Sequence, residues 1–142
     1  MFVIWLIFSL NVHSLRELNL SNFNTNKVFD ISYMFAESSK IKSLYLSNFN
    51  INILANMNHM FFQCRSLKEL NISNFNTKKV ADMSGMLNDL SSLKEKNFSN
   101  FDTKNEANIK YMFKGCPEEL TEKIRKLYKN GRVDYILFEK IY

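Results

Sequence analysis

The hexapeptide LSNFNT at residues 20–25 is the most informative stretch of the sequence, because related hexapeptides follow it at intervals of 26 residues. The later copies are LSNFNI at 46–51, ISNFNT at 72–77 and FSNFDT at 98–103. A fixed period of this size predicts stacked repeats, each of which buries its apolar side against its neighbours. Four repeats without gaps follow from this register: residues 14–39, 40–65, 66–91 and 92–117.

The residues that lead into each hexapeptide carry the pattern L-x-x-L-x-L, as at Leu67, Leu70 and Ile72. Side chains alternate between the two faces of a strand, so Leu70 and Ile72 point inward and Glu69 and Asn71 outward. Stacked copies predict a short parallel sheet with an exposed, concave face. The candidate binding residues on that face are Glu17, Asn19, Ser43, Tyr45, Glu69, Asn71, Glu95 and Asn97. Alternatively, they are ordinary solvated strand residues.

One phenylalanine recurs in every hexapeptide, and the column is expected to form a buried spine in which each ring packs on the next. Its members are Phe23, Phe49, Phe75 and Phe101. An asparagine precedes each of them, as at Asn74, and its amide is expected to bond to the same asparagine or to backbone in the next repeat.

The second half of each repeat reads approximately V-x-D-M-S-x-M-F. The spacing of three between Ile31 and Met34 predicts short helical turns on the convex side. The methionines are interpreted as core, and His59 as a tolerant surface position.

Both ends of the chain depart from the repeat. Residues 1–13 are predicted to be an N-terminal apolar cap or a degraded repeat; they show no export signal and are too short for a membrane span, although Met1 could be an internal residue of a longer protein. Residues 118–142 are predicted to be a C-terminal helical cap, with Leu120, Ile124, Leu127 and Tyr128 on one helical face. A basic helix of this kind could instead lie on a membrane. For 132–142, strand and helix remain open.

The sequence contains none of the common catalytic or metal-binding motifs. There is no phosphate-binding glycine loop, no nucleophile motif and no His–Cys cluster with the spacing of metal ligands, so neither enzyme activity nor a cofactor or metal is expected. Cys64 and Cys116 lie two repeats apart, about 10 Å, which exceeds the reach of a disulfide and predicts separate buried thiols. The net charge of +5 comes mostly from scattered lysines, which argues against a nucleic-acid partner.

The stretch MFFQCRSLKELNISNFNTKKVADM at residues 60–83 resembles the 26-residue repeat of the BspA-like branch of leucine-rich-repeat proteins. The resemblance covers residues 14–117, although the cysteine of that repeat is kept only at Cys64 and Cys116. It implies an α/β leucine-rich-repeat solenoid that is secreted or at the cell surface, with a role in adhesion or protein binding.

These observations together predict a non-catalytic, monomeric binding module with a protein or glycan ligand on its concave face. The alternative is an intracellular leucine-rich-repeat scaffold, in the cytoplasm, with an unknown protein partner.

Overall fold

The computed structural model describes residues 14–53, 55–94 and 107–127. Three short strands form a parallel sheet in the order β1-β2-β3: β1 is Glu17–Asn19, β2 is Ser43–Tyr45 and β3 is Glu69–Leu70. Each residue pairs with the one 26 positions later, so Leu18 lies beside Leu44 and Leu44 beside Leu70. The L-x-x-L-x-L segments therefore lie side by side in register.

Apolar side chains under the sheet form the core of the molecule. Leu44 and Leu70 are buried, as are the residues that close the pattern in the first three repeats, Leu20, Leu46 and Ile72. The inward-facing leucines of the strands thus lie beside their equivalents in the next repeat. The alternation expected from the sequence holds here: apolar residues point inward, and Glu17, Asn19, Tyr45 and Glu69 are exposed.

A second set of backbone hydrogen bonds joins the repeats on the side away from the sheet. Tyr33 N–H donates to Asn58 O at 3.0 Å and Phe35 N–H to Met60 O at 2.9 Å, and the same pattern recurs from His59 and Phe61 to the third repeat. We call this set the turn ladder. It begins at four bridge residues that pair in parallel from repeat to repeat: Asp30, Asn56, Asp82 and Asn108.

The bridge residues alternate between carboxylate and amide, and each closes a local turn. The side-chain oxygen of Asp82 accepts from Ser84 N–H at 2.8 Å, and that of Asn56 accepts from Asn58 N–H at 3.0 Å. Across repeats, Asn56 Nδ2 donates to Asp30 Oδ2 at 3.2 Å. The alternation prevents two carboxylates from meeting on adjacent rungs.

The turn ladder differs from the helical turns that the sequence predicts. Between the bonds to the next repeat, Met34 N–H donates to Ile31 O and Ser38 N–H to Phe35 O, three residues back in each case. Consecutive β-turns of this kind need a left-handed residue at the third position. Positive φ angles accordingly recur at two positions per repeat, in Tyr33, Glu37, His59, Gln63, Gly85, Asp89, Tyr111 and Gly115. The described part of these segments contains β-turns and no α-helix.

The phenylalanine column is buried in the second and third repeats, where Phe49 and Phe75 are 2% and 0% exposed. Phe23 differs from the expected spine because 41% of its surface is exposed. It belongs to the first described repeat, which has a described neighbour on one side only. Phe101 lies outside the described residues.

Helix α1, Glu118–Leu127, follows the fourth repeat. Glu118 and Glu119 lie in its first turn and Arg125 and Lys126 in its last, the arrangement that the helix dipole favours. Leu120 and Ile124 are buried in the same core as the repeats. Tyr128, predicted to share their face, lies outside the described residues. No helix in the described ranges is both long and apolar enough to traverse a bilayer.

The difference between Phe75 and Phe23 predicts unequal costs of truncation. Phe75→Ala removes a fully buried ring and is expected to lower the free energy of unfolding by about 3–5 kcal/mol. Phe23→Ala, the matched change in the same column, is expected to cost less than about 1.5 kcal/mol because much of the ring is already in water. Urea denaturation measures both, and equal losses would contradict this packing.

Candidate binding face

The exposed face of the sheet carries two rows of side chains above the buried leucines. The first row is Glu17, Ser43 and Glu69, which pair directly across the strands. The second row begins with Asn19 paired to Tyr45; Asn71 directly follows the end of β3, at the position equivalent to Tyr45 one repeat later. These are the described members of the predicted binding face; Glu95 and Asn97 lie outside the described residues.

The two asparagines of the second row are held by local turns. Asn19 Oδ1 accepts from the backbone N–H of Ser21 at 2.9 Å and from its hydroxyl at 2.6 Å. Asn71 Oδ1 makes the same two contacts with Ser73, at 3.1 and 2.8 Å. With the oxygens committed to these bonds, the Nδ2 groups are the amide atoms that remain to donate to a ligand. The two side chains are therefore fixed before any ligand binds.

Tyr45 lies in the same row as these amides and is 47% exposed. The neighbouring Leu44 is buried below the sheet. The carbonyl of Tyr45 accepts from the N–H of Leu20, just after β1, at 3.0 Å, so the backbone that carries the ring is hydrogen-bonded to the first repeat. A tyrosine offers an apolar ring and a polar hydroxyl together, which suits a wet contact surface. Tyr45 is thus the main apolar contact that this face can offer.

Two polar columns behind the face bind one repeat to another. Asn74 Nδ2 donates to Ser47 O and Phe49 O, both at 3.2 Å, so it bonds to backbone of the preceding repeat. Thr25, which the sequence analysis did not single out, is buried and bonds through Oγ1 to both N–H and O of Asn50, at 2.8 and 3.0 Å. The recurrence of threonine at the equivalent position 77 was the sequence feature from which this role could have been predicted.

Cys64 and Cys116 are both free thiols. Cys64 Sγ donates to Phe35 O at 2.9 Å, and Cys116 Sγ makes the equivalent contact with Leu87 O at 3.1 Å. Burial raises the pKa of each thiol to about 12, with a smaller opposing effect from backbone hydrogen bonds at Ser38 and Leu90. Each thiol therefore stays protonated and serves as a hydrogen-bond donor that links adjacent repeats.

The raised thiol pKa predicts a pH-dependent contribution of Cys64 to stability. The thiol of Cys64 has a pKa of 9.0 in the unfolded chain and about 12 in the folded chain. Its contribution to the free energy of unfolding is therefore complete below pH 9.0 and is lost as the pH rises from there toward about 12, because the unfolded chain releases the proton first. Relative to Cys64→Ser, whose hydroxyl does not titrate there, the parent should lose about 2 kcal/mol of unfolding free energy between pH 8 and about 10.5.

Denaturant titrations at the two pH values measure this difference. Serine is a suitable replacement because Ser38 fills the same column, buried, in the first repeat. Parallel pH profiles for the parent and Cys64→Ser would contradict a thiol buried in its neutral form.

His59 is not the tolerant surface residue that the sequence suggested. Its ring stacks on Tyr33 with 4.8 Å between centroids and 1° between planes, and Phe62 meets it edge-on at 5.4 Å. Burial lowers the pKa of His59 against the opposing effect of the Asp82 carboxylate, so the ring is neutral at pH 7. On its other side lies Gly85, where an added Cβ would stand 2.6 Å from His59 Nε2.

Gly85 is therefore predicted to resist substitution for two separable reasons. Gly85→Ala places a side chain at φ +59° and against the imidazole, and we expect it to lower the unfolding free energy by about 1–3 kcal/mol. Measured in a His59→Ala background, the same change should cost less, because only the backbone strain remains. Equal costs in the two backgrounds would show that the ring does not occupy this space.

The described residues contain no group of three or more His, Cys, Asp or Glu side chains that could hold a metal ion. A family model described as "Mycoplasma protein of unknown function, DUF285" matches residues 7–126, a span that includes all four repeats. None of the curated proteins matches the chain, and no solved structure does.

Proposed function

We propose that this chain, which belongs to the DUF285 family of proteins of unknown function, is a non-catalytic binding module built as a leucine-rich-repeat solenoid of the BspA-like type. Its binding face is the exposed side of the sheet β1-β2-β3. Its ligand is a protein or a glycan met outside the cell, as the resemblance to surface-protein repeats implies.

The solenoid architecture is supported by the 26-residue register of the pairing. Both the sheet and the turn ladder join equivalent residues of successive repeats, and the same core columns run through them. Stacked repeats that contact only their neighbours are the defining property of solenoid proteins.

The binding role is supported by one observation above all: Asn19, Tyr45 and Asn71 form an exposed row that is held from beneath and within. The strands rest on buried leucines, and local turns fix the two amides. Side chains that are ordered beforehand lose little conformational entropy when a ligand binds, which raises affinity for a given contact area.

The described sheet is small, since three strands about 4.8 Å apart span roughly 10 Å. Such a face buries less area than a standard stable interface. The module is therefore suited to weak single contacts that gain strength when several copies act together.

Tyr45→Ala is the substitution that tests this proposal. Binding of the full chain would be measured against an immobilised panel of extracellular-matrix proteins and glycans. We expect Tyr45→Ala to weaken every interaction found by about tenfold or more, since exposed aromatic rings dominate the energy of such contacts. Its unfolding free energy should change by less than about 1.5 kcal/mol, the limit expected for a ring that is already about half in water.

Phe29→Ala is the matched control, because Phe29 is an aromatic residue of the first repeat, away from the strands, and is 58% exposed. It should leave binding unchanged. The proposal fails if no member of the panel binds, or if the two variants lose affinity equally.

A further inference from the structure

Four basic residues recur at one position of the repeat, and the first three directly precede β1, β2 and β3: Arg16, Lys42, Lys68 and Lys94. The backbone N–H of each of the last three donates to the carbonyl of the one before it, at 2.7 Å for Lys42, 3.3 Å for Lys68 and 2.9 Å for Lys94. All four are exposed. We call this column the basic ladder. Its regular spacing shows that these four positive charges are not scattered, as the sequence analysis assumed.

The basic ladder concentrates positive charge along a line. Adjacent parallel strands lie about 4.8 Å apart, so the four Cα atoms span roughly 14 Å along the stack. The ion pairs among the described residues are Arg65–Asp89 and Arg125–Glu122, and neither includes a ladder residue. Four aligned cations repel one another, and an anionic partner would relieve that repulsion.

The neighbouring column limits the width of such a partner. Glu17 and Glu69 directly follow Arg16 and Lys68 in sequence and are exposed on the sheet. An anionic bilayer or a nucleic-acid duplex is broad enough to cover both columns and would be repelled by the carboxylates. A narrow chain that runs along the stack contacts the ladder alone. The geometry therefore favours a single linear polyanion.

The aromatic content of the face separates the two kinds of narrow polyanion. Single-stranded nucleic acids are held by a series of aromatic rings on which successive bases stack. Within the described strands, Tyr45 is the one exposed aromatic residue, in contrast to a charge in every repeat. A linear polysaccharide needs no such series, because its charged groups can pair with the ladder one repeat at a time.

We propose that the basic ladder binds a linear acidic polysaccharide, whose carboxylate or sulfate groups follow the stack across the four repeats. This inference rests on the proposed function and names the class of ligand for it. The contacts are exposed ion pairs, each weak and screened by salt, so affinity comes from their number.

The test compares two quadruple variants that remove the same charge. The ladder variant is Arg16→Gln, Lys42→Gln, Lys68→Gln, Lys94→Gln. The control variant is Lys27→Gln, Lys79→Gln, Lys110→Gln, Lys126→Gln, at four exposed positions outside the ladder. Each variant removes four positive charges from a net charge of +5, which leaves +1 in both. Circular dichroism would establish that both remain folded, and a variant that unfolds is replaced by its single-site members.

Binding of the parent and both variants would be measured by surface plasmon resonance on immobilised heparin and on an unsulfated polyuronate, at low salt and at about 0.15 M salt. We expect the parent to bind at least one of the two probes. The ladder variant should lose about tenfold or more of that affinity and the control variant less than about threefold.

Three outcomes would overturn the inference: no binding by the parent to either probe, equal losses in the two variants, or tighter ladder-dependent binding to anionic phospholipid vesicles or to a single-stranded oligonucleotide. The proposed function is tested apart from it. If the chain binds a protein through Tyr45 but not through the basic ladder, the proposed function stands and only the polysaccharide ligand is ruled out.

Discussion

Backbone hydrogen bonding between residues about 26 positions apart holds the described repeats together and fixes where every side chain lies. It acts on two sides of the first three repeats, through the short parallel strands and again through the turn ladder. Because both sides of the repeat are tied in the same register, no residue can shift without moving its whole column. Burial of the leucines, stacking of the aromatic rings and placement of the exposed rows all follow from this register.

Side chains in such a stack meet their own equivalents, and the chemistry of each column decides whether that contact is favourable. Apolar columns gain from it, as Phe35 does against Phe61, whose ring centroids are 5.6 Å apart. Small polar groups at Thr25 and Cys64 satisfy backbone atoms of the neighbouring repeat. Charged columns do not gain, so the line of exposed cations in the basic ladder is the feature that packing does not explain.

Much of the strand half of the repeat was predictable from sequence, since the alternation around Leu44 and Leu70 distinguishes buried from exposed positions. The turn half was not. A spacing of three between Ile31 and Met34 is shared by a helical turn and by consecutive β-turns, and only the left-handed positions separate them; Gly85 and Gly115 were the visible clues. On the candidate binding face, the exposure of Asn19 and Tyr45 was predictable from the alternating pattern, but the turns that hold Asn19 depend on side-chain geometry. The basic ladder becomes apparent only when charged residues at equivalent positions of the four repeats are compared.

The alternation of Asp30, Asn56, Asp82 and Asn108 has a consequence for how a chain of this type can grow. Duplication of a single aspartate-bearing repeat within the stack would bring two carboxylates onto neighbouring rungs, whereas insertion of two copies keeps carboxylate beside amide. The thiols Cys64 and Cys116 obey the same spacing of 52 residues. An aspartate-bearing repeat can therefore be duplicated inside the stack without charge repulsion only together with an asparagine-bearing neighbour.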